Sequence, residues 1–263
     1  MTTRRLQRSL SRNQAVVLKT LSLPLFLALW EIFAIVRDFR PSVLPRPTAV
    51  AAFVVREFGL LMDHTLVTGG EAAVGLILAI LVGVGLAAAM AFSTTLRDLV
   101  MPAMVSFASV PKLAFAPLLI MWLGIGYNSK MISAFLICVF PILVNATGGM
   151  RNVDPGLLDL VRVMKGRRRD EFLKIRLPSA LPSLFDGLRI AVPLSVIGAI
   201  VTEFIASSEG LGYLIISSHV HFNATLAFAS IFMIVSLTML MYAIVLVAER
   251  RLLRWRPSDR AAA

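Results

Sequence analysis

Residues 130–150, KMISAFLICVFPILVNATGGM, carry a single charge, at their first position. Twenty uncharged and mostly apolar residues wound as a helix, at about 1.5 Å each, cover the ~30 Å hydrocarbon core of a bilayer. Working outward from this stretch, five more segments have that length and character, at roughly 17–36, 64–92, 98–123, 184–206 and 224–248. Each is bounded by charge, proline or glycine. Composition points the same way. Hydrophobic residues make up 58% of 263 positions and charged residues only 16%, against about 45–50% and about 25% in soluble domains. The expected fold is therefore all-α, a polytopic membrane bundle of about six transmembrane helices.

Charge sets the orientation. If the N-terminus lies inside, twenty Lys and Arg residues fall on the cytoplasmic side and five on the other, with Lys112 inside a span. That bias places both termini and the long 151–183 loop in the cytoplasm. The basic N-terminal stretch, with Arg4, Arg5, Arg8, Arg12 and Lys19, precedes an apolar run that holds Glu31 and lacks an Ala-x-Ala cleavage site, so it reads as an uncleaved first span. The net charge of +11 flanks apolar segments instead of forming a face, which argues against nucleic-acid binding. The lone Cys138 sits in an apolar run and reads as a small buried hydrophobe. In the outer connection, Pro41, Pro45 and Pro47 make a stiff extended stretch. Thr48 is then placed to cap a short amphipathic helix over 49–62.

Two spans carry unusual residues. In the third, Pro102, Pro111 and Pro117 punctuate the helix and Lys112 follows the middle proline. A broken helix at membrane depth has to be buried in protein or line a watery cavity, and a lysine there faces the bundle interior. Pro111 and Lys112 are accordingly candidate pathway residues. Glu203 in the fifth span is a third, with an equally weighted alternative as a structural partner of a helix end. Glu31 and Glu71 lie nearer span ends and read as structural. Gly69, Gly70, Gly75, Gly83 and Gly85 in the second span permit close helix packing.

The connection 154–182, DPGLLDLVRVMKGRRRDEFLKIRLPSALP, places Leu157, Leu160, Val161 and Met164 on one stripe of a helix. Gly166 interrupts it, a second helical stretch puts Phe172 and Ile175 on its apolar side, and Leu177-Pro178 and Leu181-Pro182 are expected to end it. Such a stripe must bury against something, and the chain offers no soluble domain to receive it.

This loop resembles the E-A-A loop of binding-protein-dependent ABC importer permeases. The stretch 177–215, LPSALPSLFDGLRIAVPLSVIGAIVTEFIASSEGLGYLI, is similar to the subgroup that imports nitrate, sulfonates, taurine and related small solutes, as are HTLVTGGEAAVGLILA (64–79) and VPKLAFAPLLIMWLGIG (110–126). The resemblance implies a type I importer permease bundle in the bacterial inner membrane. Residues 1–62 would form a tail, first span and outer connection, 63–250 the permease domain, and 251–263 a basic tail. It implies a homodimer, a dimer of separate ABC ATPase subunits below, and an extracytoplasmic solute-binding protein above. The ATPase-coupling residues would be Leu157, Asp159, Arg162, Met164, Gly166 and Phe172. Lys165 stands where the motif has its glycine, with Gly166 one position later, and Glu71 stands where the subgroup often has a basic residue.

The chain has no Gly-x-x-x-x-Gly-Lys-Ser/Thr phosphate loop, so it is expected to be a transport subunit, not an enzyme, with no cofactor, metal or catalytic residue of its own. The competing class is a secondary transporter or channel driven by an ion gradient through Lys112 and Glu203. His219-x-His221 could offer two metal ligands, but with no third in sight a loop role is the plainer reading.

Overall fold

A computed structural model describes residues 12–254, side chains excepted at 12–21, Leu23, Lys112, Leu113 and Arg162. Helix α1 (Arg12–Val36) leads through a proline-rich turn to α2 (Pro47–Arg56) and the long α3 (Phe58–Phe92). Then come α4 (Thr94–Ser109), a 3₁₀ turn (Lys112–Phe115), α5 (Ala116–Leu123) and α6 (Tyr127–Arg151). Helices α7 (Pro155–Val163) and α8 (Arg168–Glu171) form the loop, and a π-helical turn (Phe172–Arg176) opens α9 (Leu177–Ile205). The chain closes with α10 (Leu211–Val220) and α11 (Ala224–Leu252). No strand occurs among the described residues.

Four helices among the described residues are long and apolar enough to cross a membrane: α3, α6, α9 with its preceding turns, and α11. The remaining two expected spans take other forms. Helix α1 is apolar from Pro24 to Val36, and the third span is broken into α4, the 3₁₀ turn and α5. The break falls at Val110 and Pro111, where Val110 takes extended backbone angles as a residue before proline prefers.

Two sequence expectations are corrected. The helix foreseen over 49–62 is two pieces: α2 begins at Pro47, and after a break at Glu57 the spanning helix α3 already starts at Phe58. Thr48 is not the cap. Its N–H and hydroxyl instead donate to the Glu31 carboxylate at 3.1 and 2.9 Å, so Glu31 on α1 ties down the N-terminus of α2. Leu177-Pro178 also fails to end the loop helix. Pro178 cannot donate to residue 174 and its ring crowds that carbonyl. The wider π turn just before it accommodates the ring, and the helix runs on into the membrane.

Helices α3, α6 and α9 form the packed centre. Ala134 of α6 is the closest point, because a Cβ on Gly75 of α3 would meet the Ala134 Cβ at 2.5 Å and one on Gly198 of α9 would meet the Ala134 Cα at 2.6 Å. Around this contact Ala72, Ala79, Cys138, Ile142, Ala191 and Val196 are buried. Small residues at such a crossing let backbones approach and gain dispersion contacts that lipid cannot outcompete. Helix α11 lies outside, tied to α9 by Arg189, whose guanidinium donates to both Glu249 oxygens at 2.6 and 2.7 Å.

Gly198→Val is expected to force α9 off α6 and destabilise the protein by about 3 kcal/mol. Thermal unfolding of the detergent-purified chain reads this. An unchanged midpoint would mean that the approach at Ala134 is not what holds the centre.

Candidate functional site

At one end of the bundle the loop between α6 and α9 is built as a presenting surface. Asp154 accepts the Gly156 N–H at 2.8 Å and Pro155 occupies the first helical position, a strong start signal for α7. The helix ends where Gly166 N–H reaches back to the Val161 carbonyl at 2.8 Å and Lys165 takes φ +53°. This is the helix-ending arrangement in which glycine normally holds the left-handed position. Lys165 holds it here, at the very place where the motif has its glycine, so the turn has not moved. Gly166 is needed for a different reason, since a Cβ there would meet Val161 Cγ1 at 2.5 Å.

Of the stripe foreseen on this loop, Leu157, Leu160 and Met164 face outward, while Val161 is half-buried. Leu160 is 53% exposed and Met164 73%, with Leu157 and Val163 exposed beside them. Asp159 is exposed on the same helix, while the side chain of Arg162 lies outside the described residues. Phe172 points the other way. Its ring meets Phe92 at 5.7 Å and packs among buried residues at the ends of α3 and α6. Arg176, which sequence reading did not single out, completes this anchor. It donates to Glu171 Oε1 at 2.6 Å and to the Met150 carbonyl at 3.1 Å, and its guanidinium lies 5.7 Å from the Phe92 ring. The loop is thus fixed to three helices on one side and apolar and open on the other.

The broken third span borders open space. Pro111 is exposed and no residue of α4 is buried. Phe107 and Phe115 meet across the break at 5.7 Å. Lys112 sits in the 3₁₀ turn, and its side chain lies outside the described residues.

At the opposite end of the bundle, Glu203 is 1% exposed and grips the start of α10. Its Oε2 accepts the Gly212 N–H at 2.6 Å, and its Oε1 accepts the Thr68 hydroxyl at 2.7 Å. The same hydroxyl accepts the Leu211 N–H at 2.8 Å, and His64 Nδ1 accepts the Gly210 N–H at 2.9 Å. Three consecutive amides at a helix N-terminus, which have no partner within the helix, are therefore satisfied by side chains from α3 and α9. Gly210 has φ +101°, and a Cβ on it would fall on the Glu203 carboxylate. This geometry realises the structural alternative weighed for Glu203, a partner to a helix end.

Beside it, Lys130 of α6 donates to Glu71 Oε1 of α3 at 2.8 Å, the side chains being 7% and 1% exposed. Glu71 Oε2 has no hydrogen-bond partner among the described residues. The pairing accounts for an acidic residue in the second span. It was hidden in the sequence because 59 residues separate the partners. A cavity of about 350 Å³ opens next to the pair, lined by Glu71, Lys130, Tyr127, Ser207, Ser208 and Glu209 among others.

A spanning bundle with a broken third helix and an anchored apolar loop is a transport architecture, and comparison assigns it. The model of the family described as "Binding-protein-dependent transport system inner membrane component" matches residues 75–254. The chain belongs to this family. A "Probable ABC transporter permease protein" of Haemophilus influenzae is 37% identical over 82% of this chain and 88% of its own length. The "Formylaminopyrimidine transport permease protein ThiX" of Halalkalibacterium halodurans is 32% identical over 94% and 99%. Further matches are named as permeases for aliphatic sulfonates, taurine and nitrate. Among solved structures, the inward-facing MetNI methionine ABC transporter superposes with a TM-score of 0.67 at 18% identity, covering 75% of this chain and 98% of that one. The fold is thus that of type I ABC importer permeases, as the resemblance of the loop implies.

Two outcomes follow for this permease. Lys165→Gly relieves a left-handed non-glycine residue and is expected to stabilise the loop by about 1 kcal/mol, read as slower proteolysis after Arg167–Arg169; faster cleavage would contradict the turn assignment. Lys130→Met strands a buried carboxylate and is expected to cost about 3–5 kcal/mol, whereas Glu71→Met with Lys130→Met recovers most of it. Equal unfolding midpoints for single and double variants would refute the pair.

Proposed function

We propose that this chain is the translocation subunit of an ATP-driven importer in the bacterial cytoplasmic membrane, carrying a small solute by alternating access. The observation that carries the reading is the α7 stripe, Leu157, Leu160 and Met164, held apolar and exposed on a loop that Phe172 and Arg176 lock to the bundle. Burying it on a separate ATPase subunit returns on the order of 25 cal/mol per Å² of apolar surface. The anchor supplies rigidity. Motion imposed on α7 reaches α9 through the π turn and α3 and α6 through Phe92 and Met150.

Leu157, Asp159, Arg162, Met164 and Gly166 form the docking element in this account, and Phe172 transmits. Pro111, Lys112 and Glu203 belong to the pathway region. Pro111 and Lys112 form its flexible break, and Glu203 fixes the wall around α10. Two copies assemble as a homodimer, which gives α4 and α5 a partner for Leu99, Val105, Met121 and Trp122, all exposed in the single chain. The basic loop and both termini face the cytoplasm, in line with the distribution of Lys and Arg, and an extracytoplasmic binding protein delivers cargo at the other end. The cargo belongs to the range spanned by the relatives' names, from sulfonates, taurine and nitrate to a formylaminopyrimidine.

The test is reconstitution of the chain with its ATPase. Gly166→Val should leave the protein in the membrane and ATP hydrolysis running, while uptake falls at least about tenfold, a loss of ~1.4 kcal/mol in coupling. Uptake that proceeds without ATP and follows a proton or sodium gradient would overturn the proposal.

A further inference from the structure

A groove of about 810 Å³ lies on the flank of the bundle, between α1 and the start of α11. Its lining runs along α1 from Phe26 to Arg37 and is completed by Leu44 and Phe228. Eleven helical residues between those ends make it about 16 Å long. The Trp30 ring meets Phe228 at 5.3 Å and closes its floor, while Leu29, Ile32, Phe33 and Val36 are each at least half exposed. Glu31, the one charge on α1 between Pro24 and Val36, does not line the groove and is held by Thr48 of α2.

Arg37 is the only charged residue of the lining, and it stands at one end. Beyond it the chain turns back sharply. Asp38 takes φ +47°, the Phe39 ring meets Phe33 at 5.6 Å, and Leu44 returns to the wall. This turn carries a second exposed cation, Arg40, and neither guanidinium has an ion-pair or hydrogen-bond partner among the described residues. Between residues 37 and 55 there are three arginines, at 37, 40 and 46, and a single acid, Asp38.

An apolar trough in a spanning bundle faces hydrocarbon, so an acyl chain is the occupant at hand. The chain alone gives no selectivity, because lipid tails are as apolar as the leucines around them. Selectivity comes from the end where the apolar face stops and the arginines begin, the level at which lipid phosphates lie. A guanidinium meets a phosphate through two parallel N–H bonds. A zwitterionic lipid brings its own cation to compete for that phosphate, whereas an anionic lipid leaves its charge to the two arginines.

We propose that this groove is a lipid site that holds one acyl chain of an anionic glycerophospholipid, its phosphate gripped by Arg37 and Arg40. The inference rests on the bundle spanning a bilayer and is independent of what the protein transports.

The test reads Trp30 in the groove. The full-length chain carrying Trp122→Phe and Trp255→Phe retains this one tryptophan and is reconstituted into vesicles in which either phosphatidylglycerol or phosphatidylcholine bears brominated, fluorescence-quenching chains. Quenching should show phosphatidylglycerol preferred over phosphatidylcholine at Trp30 by at least about fivefold. Arg37→Gln with Arg40→Gln, both at exposed positions, should bring the ratio close to one while Trp30 remains quenched. Soluble glycerol phosphate should leave the preference unchanged. Equal quenching by the two lipids would reduce the groove to ordinary lipid contact and overturn the proposal. So would a preference that survives removal of both arginines, or one that glycerol phosphate abolishes. Absence of quenching by either lipid would mean that a second copy of the chain covers the groove, and would overturn it as well.

Discussion

A backbone amide buried away from water needs an acceptor from the protein, so every helix that starts inside the bundle must be given partners for its first amides. The start of α10 shows how much sequence that constraint occupies. Its first three amides are taken by His64, Thr68 and Glu203, from two helices far apart in the chain. Gly210 is obligatory in the gap because its backbone angle and the nearby carboxylate both exclude a side chain. At the exposed start of α2 the Thr48 amide likewise goes to a side chain, that of Glu31. Two acidic residues in apolar segments, Glu203 and Glu31, are thereby explained as partners of helix N-termini. Glu71 stands apart: its charge is met by Lys130, and it caps nothing.

This separates two kinds of intramembrane charge. Glu203 has both oxygens occupied by donors of the protein itself and faces the positive end of a helix dipole, which stabilises the carboxylate as it stands. Glu71 has one oxygen paired with Lys130 and the other buried without a hydrogen-bond partner among the described residues.

Much of the architecture was legible in the sequence because the bilayer imposes a coarse rule. Apolar runs near twenty residues located the four long helices α3, α6, α9 and α11, and prolines located the break in the third expected span. The 3.6-residue stripe of Leu157, Leu160 and Met164 marked the exposed loop helix. What stayed hidden depended on contacts between distant residues or on local exceptions. The Glu71–Lys130 pair and the three-residue cap of α10 are invisible until α3, α6 and α9 are brought together. Pro178 was misread as a stop because a single π turn, absent from any propensity scale, absorbs its ring. Lys165 was noted at the motif's glycine position, but its holding the left-handed turn was not foreseen, because a lysine in that conformation is uncommon.

The centre of the bundle links its two ends. The closest approach of α3, α6 and α9, at Ala134, is made by glycine and alanine, with Cys138, Ile142 and Val196 packed around it, so the three helices are held as one tightly packed unit. Phe172 and Arg176 touch the ends of α3 and α6 and lead directly into α9, so in the proposed account they carry a push on α7 to all three. At the far end these helices carry Glu71, Lys130, Thr68 and Glu203. A small tilt of α6 against α3 would change the 2.8 Å separation of Lys130 and Glu71 directly, and Coulomb energy varies most steeply at such short range. The polar cluster is therefore the part of that end most sensitive to any relative motion of α3 and α6.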